Sequence, residues 1–358
     1  MTDDADNRAE GGPDSELGVD SAVSTLSIGP TATALLGLAC LGVATFAAVT
    51  SWGALAGSHP AYGVVLVVLW LIGLGLLVAA MILSRRPGNR SRWWSVAALP
   101  VVLLLIVAVY LRPFPADDRA IGIIELSSQP GSLGLRGGIR VRSTPTHLLM
   151  SPADTGDAPI GTGLVFYPGA RVDPRAYATL LAPVVEAGHP VVVVKPPLGF
   201  ALLDINAATG AVEAYDAWSE VQSVPVRWAV GGHSLGGVAA SDYAHEVAIS
   251  DVGGPASDVA GLVLWAAYPA RSLADTDLPV LSVSGTNDAL TTPAEIEQSK
   301  ELLPLETDFV VIEGANHSQF GDYGDQSGDG EATVSDEEAR TRIVEATIRF
   351  LDQLDDSD

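Results

Sequence analysis

Cysteine occurs once in this 358-residue chain and lysine only twice, and no Asp, Glu, Lys or Arg falls between Ser21 and Ser84. The lone Cys40 excludes an intrachain disulfide. The scarcity of lysine goes with a formal net charge of −24. A phosphate backbone would be repelled, which argues against a nucleic-acid partner. Residues 112–358 hold 14 bases against 36 acids, a net of −22. Such an acid-rich, lysine-poor surface resembles proteins of salt-loving microbes, where carboxylates hold hydration and salt screens their repulsion. The Debye length falls from about 10 Å at 0.1 M salt to about 3 Å at 1 M. Thermal midpoint and activity should therefore rise together between dilute buffer and molar potassium chloride; a melting temperature independent of salt would contradict the halophilic reading.

The charge-free stretch opens three successive apolar segments, roughly 31–56, 61–83 and 93–111. Each reaches the ~18 apolar residues expected of a spanning helix. Arg8 is the only base among seven acids in the amino-terminal tail, so the basic start of a signal peptide is missing. Arg85, Arg86, Arg90 and Arg92 cluster between the second and third segments, whereas Ser51 to Pro60 carries no charge. Basic loops stay cytoplasmic, which places everything after Leu111 outside. The organisation expected is an acidic, disordered tail (1–29), three transmembrane helices (30–111), a linker (112–119) and an extracellular domain (120–355) on a multi-pass membrane protein.

From residue 120 onward, strand-like and helix-like patterns alternate. Ile121 to Leu126 and Gly138 to Arg142 read as early antiparallel strands at one edge. Gly163 to Tyr167, Val191 to Val194, Leu262 to Trp265, Val280 to Val283 and Phe309 to Ile312 follow as strands, several of them continuous apolar runs of the doubly buried kind. Helices are expected after Asp173-Pro174, over Asp204 to Trp218, and from the Ser335/Glu338 capping box to about Leu354. The alternation predicts an α/β fold with a mainly parallel sheet flanked by helices. The link from Trp265 to Pro279 is too short for a helical lid.

The most informative motif is Gly231-Gly232-His233-Ser234-Leu235-Gly236-Gly237, after the apolar run Val226 to Val230. A serine between glycines at a strand-to-helix junction is the arrangement of a nucleophile elbow, with the hydroxyl lifted to the top of the sheet. A serine hydroxyl needs a base, and the base an orienting acid. Of six histidines, only His317 follows the last strand, where a loop can carry it over the serine. Asp288, in Gly285-Thr286-Asn287-Asp288 beyond the strand ending at Val283, is the expected acid; Asp275 is the weaker choice. Asp325-x-Ser327-x-Asp329-Gly330 imitates the start of a calcium loop but lacks the preceding helix, and no metal is assigned.

The order Ser234, Asp288, His317 resembles that of the α/β-hydrolase family. Together with Phe166-Tyr167-Pro168-Gly169-Ala170-Arg171, Gly261 to Trp265 and Ile312 to Gly324, it resembles that family's compact, lidless branch of dienelactone hydrolases and small carboxylesterases. The resemblance implies an oxyanion hole built from the backbone N–H groups of Leu235 and Ala170, with Arg171 the competing second donor. Arg171 could also anchor a substrate carboxylate, or pair with Asp173. The expected activity is ester hydrolysis through an acyl-enzyme without a cofactor, on a small-molecule or lipid-derived acyl substrate held near the membrane. Rival readings are acyl transfer or peptide cleavage by the same residues, or a binding or sensing module without turnover.

Overall fold

The computed structural model describes residues 29–85, 94–128, 138–153, 160–219, 226–249 and 259–356. The expected acidic tail, up to residue 28, and three of the clustered arginines, Arg86, Arg90 and Arg92, lie outside the described residues.

Four helices come first: α1 (Pro30–Thr50), α2 (Trp52–Gly57), α3 (Ala61–Ser84) and α4 (Trp94–Tyr110). On α1 the buried stripe is Thr33, Gly37, Cys40, Ala44 and Ala47, one small residue per turn. It meets a matching stripe on α3 that includes Leu69, Gly73 and Ala80. Small residues let two backbones approach closely where hydrophobic burial cannot drive association. The remaining apolar side chains point outward, among them Leu38, Val64, Leu71 and Val78. Two helices, α1 and α3, are long and apolar enough to cross a membrane; the third expected span is not found among the described residues. Of α4, the part found there is the shorter apolar stretch Val101–Tyr110.

The rest is built on one eight-stranded sheet in the order β1-β2-β4-β3-β5-β6-β7-β8. Its strands are β1 (Ile139–Ser143), β2 (His147–Pro152), β3 (Gly163–Tyr167), β4 (Val191–Val194), β5 (Trp228–His233), β6 (Val259–Trp265), β7 (Val280–Gly285) and β8 (Asp308–Ile312). Only β2 runs against its neighbours β1 and β4; every pairing from β4 to β8 is parallel. The mostly parallel α/β sheet expected from the alternation is therefore the one found.

One early strand is corrected. Ile121 to Leu126 lies in helix α5 (Asp118–Ser127), capped by the Asp117 side chain, which accepts from the Arg119 N–H. A short run rich in isoleucine reads equally well as strand or buried helix. Here Ala120 and Ile124, four residues apart, form the buried face. The antiparallel edge consists instead of β1 and β2, the latter buried throughout and unmarked by alternation.

Helices α6 (Ala178–Glu186), α7 (Ala207–Trp218), α8 (Leu235–Ile249), α9 (Pro293–Ser299) and α10 (Asp336–Asp356) complete the domain. Two apolar cores result. One joins α5, α6 and α10 to one sheet face through Phe166, Leu180, Trp265 and Phe350. The other joins α7 and α8 to the opposite face through Tyr167, Tyr215, Val230 and Ala240.

The four-helix region is seated on this domain by one end. Arg175 donates to the Gly53 carbonyl at 2.6 Å; Arg112, just past α4, donates to the hydroxyls of Thr50 and Ser51 at 3.1–3.4 Å and ties the ends of α1 and α4. Residues 112–119 run between the two regions. Phe114 bridges to Val172, and the Asp117 N–H donates to the Asp322 carbonyl.

Candidate active site

The site gathers at the carboxyl ends of β3, β5, β7 and β8. At the end of β5 the chain turns straight into α8, and Ser234 takes φ = 53°. A non-glycine residue in this region costs roughly 1–3 kcal/mol and persists only where the surroundings over-determine it. Those surroundings leave no room at the flanking glycines. A Cβ on Gly236 would stand 2.1 Å from the Tyr167 carbonyl oxygen, and one on Gly232 would stand 2.4 Å from the Gly236 carbonyl carbon. The Ser234 N–H is fixed by the Trp265 carbonyl at 3.0 Å, and its side chain is half-buried.

His317 follows β8 on a short turn. Its Nδ1 lies 2.8 Å from Asp288 Oδ2, with both side chains essentially out of solvent. Asp288 sits beyond β7, and its other oxygen accepts from the N–H groups of Leu290 and Thr291 at 2.8 and 2.7 Å. Three donors thus fix the carboxylate, one of them the imidazole. The structure brings Asp288 and His317 together. The Ser234 hydroxyl makes no hydrogen bond among the described residues; such contacts commonly tighten only once substrate is bound. Asp275, the alternative acid, is exposed.

Of the two N–H groups in competition as second oxyanion donor, that of Arg171 is already given to the Gly199 carbonyl at 2.7 Å. No acceptor among the described residues takes the N–H of Ala170 or of Leu235. Leu235 is the first residue of α8, where backbone N–H groups lack intrahelical partners and the helix dipole favours negative charge. The Arg171 guanidinium donates to the Tyr110 carbonyl and lies 4.4 and 4.8 Å from the ring centres of Tyr110 and Phe114. The ion pair with buried Asp173 is made by Arg175 instead, at 2.6 Å.

Three residues were not legible as parts of the site. Tyr177 is fully buried; its Oη accepts from the Gly169 N–H at 2.8 Å and lies 2.9 Å from His233 Nδ1. Burial, reinforced by neighbouring His317, pushes the His233 pKa well down, so the ring is neutral. Its ring centre lies 4.6 Å from that of His317. The 168–171 loop, the turn at Ser234 and the turn at His317 thereby meet around one buried, neutral ring. The third residue is Asp329, from the calcium-like motif. It accepts from the N–H groups of His317 and Ser318 at 3.1 and 2.8 Å and so fixes the turn that presents the base. An acid spaced twelve residues after the base is its only trace in the sequence.

The family model described as the alpha/beta hydrolase family matches residues 163–341, a stretch that contains every strand from β3 to β8. Among solved structures, the chain is similar to an alpha-beta serine hydrolase homologue from Coxiella burnetii, with 18% identity, a TM-score of 0.39 and coverage of 58% of this chain and 95% of that one. It is similar also to a dienelactone hydrolase-like promiscuous phosphotriesterase from metagenomic libraries (16% identity, TM-score 0.41, 61% and 99% covered). A third likeness is to a ferulic acid esterase from Streptomyces cinnamoneus (15% identity, TM-score 0.39, 58% and 81% covered). No curated protein matches the chain.

Proposed function

This chain belongs to the alpha/beta hydrolase family, and from that premise we propose that it is a membrane-held serine hydrolase cleaving carboxylic esters through an acyl-enzyme on Ser234. The observation that carries this reading is the buried His317–Asp288 pair at 2.8 Å, on the loops after β8 and β7, beside a serine held at φ = 53°. His317 Nε2 takes the Ser234 proton as Oγ attacks the acyl carbon. Charge then develops on the carbonyl oxygen, where the free N–H groups of Leu235 and Ala170 receive it. Each such donor is worth about 3–4 kcal/mol in the transition state. The imidazolium, oriented by Asp288, next gives its proton to the departing alkoxide. Water, deprotonated by His317, releases the acid and restores Ser234. Labelling by a fluorophosphonate probe tests the reading: one label, on Ser234, is expected, and an unlabelled protein would reject it.

Tyr177 enters this mechanism by position. Tyr177→Phe leaves the Gly169 N–H and His233 Nδ1 unpaired in the interior, at a cost of about 1–3 kcal/mol for each group. The loop bearing Ala170 then loses one of its ties. We expect kcat for p-nitrophenyl acetate to fall about ten-fold, the equivalent of ~1.4 kcal/mol, with KM less affected. An unchanged kcat would remove Tyr177 from this role.

The membrane assignment is supported by the outward-facing apolar surface of α1 and α3, and the orientation by which end meets the catalytic domain. Gly53 and Tyr110 touch it, whereas Arg85 closes the far end of α3. Exposed Trp52 and Tyr110 stand at the seated end, as interfacial aromatics do. With the arginine-bearing end cytoplasmic, the hydrolase faces outward. A Leu305→Cys variant places a thiol at a fully exposed position, while native Cys40 is buried. It should react with an impermeant maleimide on intact cells; reaction only after lysis would invert the orientation.

A further inference from the structure

The seated end of the helices encloses a feature that an anchor does not require. Val43 and Ala47 of α1, Tyr62 and Leu66 of α3, and Leu198 of the catalytic domain line a narrow apolar crevice. Leu198 is held there at φ = 52°, in the strained region that tends to mark functional loops. The neighbouring Gly199 carbonyl fixes the Arg171 N–H, and Arg171 adjoins Ala170, the proposed oxyanion donor. Through Leu198 the crevice thus touches the loop that holds the Arg171 N–H, next in the chain to Ala170.

Tyr62 supplies the second observation. It is only 4% exposed, yet its hydroxyl has no hydrogen-bond partner. That hydroxyl stands 2.6 Å from the place of a Gly199 side chain, so it faces the same loop. A buried hydroxyl without a partner costs about 1–3 kcal/mol. An oxygen supplied by a ligand would satisfy it.

We propose that the crevice is an acyl-chain site, through which the long chain of a lipid ester reaches Ser234 from the bilayer while Tyr62 donates to an ester oxygen at the head of the chain. The proposal rests on the ester-hydrolase reading above and names its substrate class. The crevice has a free volume of about 20 Å³, room for about one water, so a chain enters only as side chains part. Between helices in lipid this exchange is nearly neutral, because a lipid tail is as apolar as the leucine it displaces.

The test uses the full-length chain in phosphatidylcholine nanodiscs, with Ser234→Ala to prevent turnover. The probe is the methyl ester of a sixteen-carbon fatty acid carrying a mid-chain diazirine. Irradiation should label peptides containing Val43, Leu66 or Leu198. Val43→Trp and Leu66→Trp should each cut that labelling at least five-fold, and Tyr62→Phe at least three-fold. With Ser234 intact, both tryptophan variants should lower the ratio of decanoate to acetate ester hydrolysis at least ten-fold. Label confined to other segments overturns the proposal with no variant needed, as does labelling indifferent to all three substitutions. Failure of the intact protein to cleave either ester would strike down the hydrolase reading instead, and the labelling would still decide the crevice.

Discussion

Ser234→Ala should lower the turnover of p-nitrophenyl acetate by about a million-fold, to the residual catalysis that binding and the oxyanion donors provide. The fold should be indifferent to the change. The lost hydroxyl makes no hydrogen bond among the described residues and is half-buried, so the stability change should stay within about 0.5 kcal/mol. Ser234→Gly should be equally inactive and more stable, by about 1 kcal/mol, because glycine adopts φ = 53° without steric cost. Opposite signs for activity and stability at one residue are what a strained nucleophile requires. Activity assays, thermal melts and fluorophosphonate labelling of both variants check this together. Near-normal turnover by either would sink the assignment of Ser234, and a Ser234→Gly protein less stable than its parent would remove the strain argument.

What could be read from the sequence was set by how local each signal is. The elbow is written in seven consecutive residues, and the steric crowding at Gly232 and Gly236 explains why the motif demands glycine there. Asp288 and His317 could be placed beside one another because each follows a recognisable strand at the carboxyl edge of the sheet. Position in chain order substituted for position in space. Tyr177 could not be found that way. It lies on the turn after β3, and its hydroxyl meets His233 fifty-six positions on. Nothing about an isolated tyrosine before a helix announces such a partner. Ile121 to Leu126 failed for the converse reason. Its local signal was strong but ambiguous, and packing against the sheet core chose helix. The seating of the helices through Arg171 and Arg175 was hidden as well. Both arginines bond to backbone carbonyls, of Tyr110 and Gly53, and a carbonyl acceptor leaves no mark on the sequence.

Asp288→Asn should cost about ten-thousand-fold in kcat near neutral pH. The amide can keep one oxygen on the Leu290 and Thr291 N–H groups, as Oδ1 now is. It then presents an NH2 group to His317 Nδ1, where the carboxylate had accepted a hydrogen bond at 2.8 Å. Two donors cannot share that contact, so the imidazole must place its proton on Nε2, facing the serine, and in that tautomer it cannot act as the base. The loss should appear in kcat far more than in KM, since the carboxylate touches no substrate. Asp275→Asn, at an exposed carboxylate with no side-chain partner among the described residues, should stay within two-fold of the parent. The reverse pattern would reassign the acid. A combined variant separates a coupled unit from independent contributions. If Ser234, His317 and Asp288 work as one, Ser234→Ala with Asp288→Asn should be no slower than Ser234→Ala alone, because the acid has nothing to orient for once the nucleophile is gone. A further large drop in the double variant would mean that Asp288 acts on the reaction by a route that does not pass through the serine.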